Sequence, residues 1–225
     1  MRLTAAGILF ASAAILWANS FAPPRLPWAT PTVTVGTLPL GVDVDPASNT
    51  IYVANLIDNT ISVIDGQRCN GRHDSHCSPV ATMTNVGYGP LWPAFDAATH
   101  TLYVTNALTD TGDNGNTVAV LDVSHCTAGD TSGCNQAPVA IVTVPGLVGS
   151  EFGLSVIAID SFTHTLYVGE ADDGPVSMIN TATCNALQTG GCNETPSTMT
   201  NGDGMAIDSA NHSVYINNLN KGQLT

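Results

Sequence analysis

The amino-acid sequence predicts an all-β chain built from one antiparallel unit of four short strands, used repeatedly. Three observations predict it. The stretch "TIYVAN" at 50–55 returns as "TLYVTN" at 101–106, "TLYVGE" at 165–170 and "SVYINN" at 213–218. The segments that follow, among them "TISVID" and "TVAVLD", are rich in Val, Ile and Thr and alternate with the period of two expected of strands. Beyond the N-terminal stretch, no segment shows a helical period. Tyr52, Tyr103, Tyr167 and Tyr215 are spaced by 51, 64 and 48 residues, close to the repeat lengths that mark propeller blades. The predicted fold is a β-propeller of four-stranded antiparallel blades, about three full blades and a partial fourth, because radial repetition leaves only short edges.

The elements follow in order. "MRLTAAGILFASAAILWANS" (1–20) carries one Arg and then an Ala-rich apolar run, shorter than the roughly 20 apolar residues of a membrane span. Ala18 and Ser20 put small residues at −3 and −1 of a cleavage site, so 1–20 reads as a signal peptide, with an uncleaved N-terminal anchor as the rival. Residues 21–30 are Pro-rich and read as an extended linker. The repeats fill 31–225, with blades at about 31–86, 87–144, 145–200 and an incomplete 201–225.

Each unit opens with an apolar strand ending in Asp: "GVDVD" (41–45), "PAFD" (93–96), "VIAID" (156–160) and "GMAID" (204–208). A small polar turn comes next, "PASN", "AATH", "SFTH" or "SANH". The Tyr-Val strand follows and ends in Asn55, Asn106 or Asn217, with Glu170 in their place in the third copy. A hairpin leads to "TISVID", "TVAVLD" or "PVSMIN", and "VATMT", "VAIVTV" or "PSTMT" completes the unit. The tyrosines recur once per unit and read as packing between blades, not as a cofactor box.

"IYVAN" and "LYVTN", with an Asp-terminated strand before them and "TISVID" after, resemble the YVTN-type β-propeller repeat. The resemblance runs from about residue 31 onward and implies the fold; sites are grafted onto folds, so it says less about function. The third copy departs from it at Gly169-Glu170, and the fourth reaches only "YINNLNKGQLT". Two accounts of the ring follow. The units belong to a larger propeller, which we favour because an open blade edge is an aggregation liability. Alternatively, "PTVTV" (31–35) supplies the outer strand of a four-bladed ring.

Six cysteines fall in three C-x7-C pairs, Cys69–Cys77, Cys126–Cys134 and Cys184–Cys192, each in the loop before a fourth strand. The even count, the regular spacing and the signal segment predict three local disulfides in an oxidising compartment. Each nine-residue closure restricts the unfolded chain by about 2.5 kcal/mol in the loop-entropy view. His73, His76 and His125 lie near two of these loops, but structural zinc uses closer cysteine spacings. His100, His164 and His212, like Asn49, sit in the turn before the Tyr strand and read as turn formers.

Eighteen acids against five Lys and Arg leave a net charge of −13, which excludes nucleic acid as a partner and disfavours anionic membranes. No membrane span is expected beyond the signal segment. Divalent cations remain open to such a chain. Asp110 and Asp113 in "DTGDNGN" resemble part of a calcium loop, although Gly112 and Leu121 occupy ligand positions of that pattern. Glu151, Glu170, Asp172 and Asp173 fall in two loops expected on one propeller face, where carboxylates bind a divalent cation or act as a general base. The plain alternative is a solvated loop.

No Gly-x-Ser-x-Gly elbow, His-Glu-x-x-His or phosphate-cradling loop is present. The reading chosen is therefore a secreted, periplasmic or cell-surface binding or interaction module, with a protein or small-molecule ligand at its face, rather than an enzyme. Lactonase-like propellers, which the chain resembles in architecture, use channel-mouth carboxylates with a divalent metal; the resemblance implies Glu151 and Glu170 as their counterparts. A structural cell-surface module is the third reading.

Overall fold

Asp45, Asp96, Asp160 and Asp208 each end a strand and reverse the chain. In all four, the carboxylate Oδ1 accepts the backbone N–H two residues on, at 2.9–3.1 Å. The turn then needs a left-handed residue, and Asn49, His100, His164 and His212 supply it with φ of 50–54°. Asn and His tolerate that region better than most residues with a Cβ, which explains their recurrence at one position. His212 does one thing more: its ring stacks on Phe162 of the preceding sheet's turn, with centroids 3.8 Å apart.

The computed structural model describes residues 32–71, 77–145, 154–170, 174–202, 204–218 and 220–225. The stretches read above as a signal peptide (1–20) and a linker (21–30) lie outside the described residues. Three sheets are four-stranded and antiparallel: β1 (Pro39–Asp45) to β4 (Pro79–Met83), β5 (Pro90–Asp96) to β8 (Ala140–Thr143), and β9 (Leu154–Asp160) to β12 (Ser197–Asn201). Between these bounds run β2 (Thr50–Asn55), β3 (Thr60–Asp65), β6 (Thr101–Leu108), β7 (Asn114–Asp122), β10 (Thr165–Glu170) and β11 (Pro175–Asn180). A fourth sheet holds β13 (Gly204–Asp208), β14 (Ser213–Asn218) and the two-residue β15 (Gln223–Leu224). The first strands of successive sheets lie side by side, β1 by β5, β5 by β9 and β9 by β13. This is a β-propeller arrangement. Residues 32–35 form no strand, and β15 pairs only with β14, so the closure of the fourth sheet by "PTVTV" is not what the chain does. Extended, β-branched sequence is insufficient without a partner edge to bond.

The core is a set of layers between sheets. In β6, Leu102 and Val104 face the first sheet while Tyr103 faces the third; in β7, Ala119 and Leu121 face back while Val118 and Val120 face forward. The period of two thus places apolar residues on both faces, as a doubly covered sheet requires. Each C-x7-C pair has its Cα atoms 4.6–4.9 Å apart and is bridged. The bridged loops of the second and third sheets reach back: Cys126 and Cys134 pack in the layer against the first sheet, Cys184 and Cys192 in the layer against the second.

One contact repeats in detail. The Tyr52 hydroxyl donates to the Cys126 carbonyl at 2.8 Å, and the Tyr103 hydroxyl to the Cys184 carbonyl at 2.7 Å. Beside each, the Thr that starts the strand accepts a loop N–H: Ala128 N to Thr50 Oγ1 and Ala186 N to Thr101 Oγ1, both 2.8 Å. Both phenols are fully buried, and burial together with a nearby Asp (Asp45, Asp96) raises them above the ordinary tyrosine range. Tyr167 is half-buried and Tyr215 is 43% exposed. Tyr52→Phe and Tyr103→Phe each leave a buried carbonyl unpaired and are expected to lower stability by about 1–2 kcal/mol in denaturant unfolding. Tyr215→Phe, with an exposed hydroxyl, should change it by less than about 0.5 kcal/mol.

Candidate functional site

The register of the repeats locates what is unique in each. Asp43 pairs with Tyr52 across β1 and β2, and the same position is Ala94, Ala158 and Ala206 in the other copies. Two positions before it in the unit stands Gly41, where the second copy has Trp92. Gly41 is needed for the approach of β1 to β5, since a Cβ there would come 2.7 Å from Pro93 Cδ and 2.8 Å from Trp92 Cα. Asp43 Oδ2 accepts the Phe95 N–H of β5 at 2.6 Å, and Oδ1 accepts the Val44 N–H at 2.8 Å. Burial raises its carboxyl above the usual range, and these two backbone bonds only partly oppose that.

Asp43 and Trp92 open onto one cavity of about 330 Å³ along the first strands. Val42 from β1, Pro93 and Ala94 from β5, and Val156, Ile157, Ala158 and Ile159 from β9 complete its lining. The walls are apolar apart from the single carboxylate. Sequence reasoning missed this residue; setting the four first strands under one another, with Asp where three copies have Ala, is the signal that finds it.

Glu170 ends β10, and its side chain is buried, only 3% exposed. In the first sheet the corresponding Asn55 accepts the Gly36 N–H through Oδ1 and donates through Nδ2 to Thr60 Oγ1 and Ser62 Oγ, at 2.9–3.1 Å. In the third sheet the matching polar atoms, Glu170 Oε1 and Ser177 Oγ, are buried without a partner among the described residues. Gly174 makes room for the longer acid, because a Cβ there would lie 2.6 Å from Glu170 Oε2. Burial alone pushes the Glu170 carboxyl up to about 7.

Glu151, Asp172 and Asp173 lie outside the described residues, as do His73 and His76. Asp110 and Asp113 sit exposed in the β6–β7 hairpin. There Asp113 Oδ2 accepts the Thr111 hydroxyl at 2.7 Å, and Gly112 takes φ of 83°. Among the described residues, no group of three His, Cys, Asp or Glu is placed to hold a metal. His125, just before the second cysteine loop, pairs at 2.8 Å with Asp130 inside it and, with Ser132, holds that carboxyl at about 2. No helix of the described residues is long and apolar enough to cross a membrane.

No protein-family model matches the chain, and no curated protein does. The resemblance to the YVTN-type repeat therefore rests on the residues quoted above. Solved structures share the fold. A protein from Lactobacillus plantarum superposes with a TM-score of 0.52 at 16% identity, over 83% of this chain and 53% of its own. A proposed 6-phosphogluconolactonase from Bacteroides fragilis gives 0.52 at 14% identity, over 83% and 52%. A second proposed 6-phosphogluconolactonase, from Bacteroides uniformis, gives 0.50 at 14%, again over 83% and 52%. The chain spans about half the length of these neighbours.

The Glu170 environment fixes a pH dependence. Its folded value of about 7 lies above the ordinary 4.5, so the protonated form is the one folding favours. The Glu170 contribution to stability should be greatest below about pH 4.5, fall as pH rises toward 7, and level off above it. Relative to Glu170→Gln, wild type should lose on the order of 2–3 kcal/mol across that window in unfolding experiments. Parallel curves for the two proteins would show that the burial does not act on stability.

Proposed function

We propose that the chain is a binding module of an oxidising, extracytoplasmic compartment that takes a small, largely apolar ligand in the groove along β1, β5 and β9. The observation that carries this reading is the apolar cavity of about 330 Å³ on the first strands, the part of the fold where the repeat is broken by Asp43 and Trp92. Concave apolar sites with few polar groups are the usual form of small-ligand sites. The three bridged cysteine pairs support the compartment.

Saturable binding of the neutral fluorophore Nile red tests the groove. Wild type should bind it with a defined stoichiometry, and Ala158→Trp, which fills the cavity, should weaken binding by at least about tenfold. Equal affinity in the two proteins would remove the groove as the site.

A lactonase-like hydrolase is the second reading. It is supported by two fold neighbours proposed to be 6-phosphogluconolactonases and by Glu170, whose raised value of about 7 suits a general base. Its buried side chain counts against access to substrate. Lactone hydrolysis that requires an added divalent cation and is lost in both Glu170→Gln and Glu151→Gln would establish this reading in place of the first. No hydrolysis above the uncatalysed rate, with or without the cation, would dismiss it.

A further inference from the structure

Two departures from the repeat, Asp43 and Trp92, come from neighbouring first strands and line the same cavity. Asp43 is not explained by the fold alone. The bond from the Phe95 N–H to Asp43 Oδ2 ties β1 to β5, but an Asn at this position would keep that acceptor, giving up only the short-range bond from the Val44 N–H, without placing a charge in apolar surroundings. The second and third copies have Ala at the position and still lay their first strands side by side. The carboxylate thus adds something the architecture does not need.

Asp43 also has no counter-ion among the described residues. Among the described residues the ion pairs involve Asp65, Asp130 and Asp160, and none reaches Asp43. With five Lys and Arg in the chain, a cation is scarce inside the protein. Each carboxylate oxygen accepts one backbone N–H and keeps a second lone pair for a further donor. Burial that raises the Asp43 carboxyl is relieved by any cation brought beside it. Trp92, 38% exposed at the same cavity, offers an indole of the kind that attracts cations to its face.

We propose that the groove selects ligands carrying a protonated amine on an apolar body, the ammonium pairing with Asp43 and lying near Trp92. This rests on the binding-module reading and gives the ligand its chemical class. The net charge of −13 works in the same direction, since it raises the local concentration of cations.

The test uses the full chain with its disulfides intact and compares 2-phenylethylammonium with 2-phenylethanol, which share a body and differ in charge. Binding is read by calorimetry and by Trp92 fluorescence, with Trp92→Phe as the blank that assigns the signal to this cavity. Wild type should prefer the ammonium by at least about tenfold at pH 7, and Asp43→Asn should reduce the preference to within about twofold. The Asn keeps an acceptor for Phe95, so near-ultraviolet dichroism should be unchanged. Should Asp43→Asn fail to fold, the wild-type comparison with the Trp92→Phe blank still decides. Equal binding of amine and alcohol, or a preference that survives in Asp43→Asn, overturns the proposal while leaving an apolar binding groove. Binding of neither, with no Nile red binding, removes the groove altogether.

Discussion

The hydrogen bond from a strand tyrosine to the carbonyl of the next sheet's first loop cysteine is the contact on which the rest of this structure depends. A single four-stranded sheet of short strands cannot bury both of its faces, so its neighbours must be fixed against it. The disulfide restrains a nine-residue loop that has little core of its own, and the loop then carries its carbonyl and N–H to Tyr and Thr of the preceding sheet. Where this tie is made, between the first and second sheets and between the second and third, a layer of buried apolar residues fills the space and the first strands run side by side. The groove is a by-product of that alignment.

Because the tie between sheets is made by the second strand and the cysteine loop, the first strand is left free to vary. Three copies use Ala opposite the tyrosine and one uses Asp43; one copy uses Trp92 where another requires Gly41. The third copy varies at a different place, and there two changes go together: Glu170 replaces Asn, and Gly174 stands where the first sheet has Asn59 and supplies the space. Variation in this chain is local, paired and superimposed on a constant frame, as expected where sites are grafted on a fold.

Much of the frame was legible in the sequence. The Asp at each strand end, the Asn or His four residues on, and the Tyr-Val strand are short-range signals, and local backbone geometry decides them. The C-x7-C pairs were legible for the same reason. What was not legible depends on contacts across the chain: Tyr52 meets a carbonyl 74 residues away and Tyr103 one 81 away, and no pattern within a unit announces it. The "PTVTV" stretch has strand composition but no partner edge among the described strands. Glu170 reads as a rim acid in sequence, yet its burial comes from the glycine at 174 and the packing of β9 and β11 around it. Asp43 is hidden in a strand whose other members are apolar, and comparison of copies reveals it where composition does not.

The tyrosine-to-loop bond also has a direction. The first and second sheets each receive this support from the loop of the sheet that follows, so loss of order there is transmitted toward the N-terminus. Opening the Cys184–Cys192 loop should loosen the Tyr103 layer first and the sheet that owns the loop only afterwards. In an array of nearest-neighbour contacts such as this, breakdown has a sense of travel, set by which strand carries the phenol. A redox change at one loop is therefore felt in the blade before it, and the chain reports reduction upstream of where it occurs.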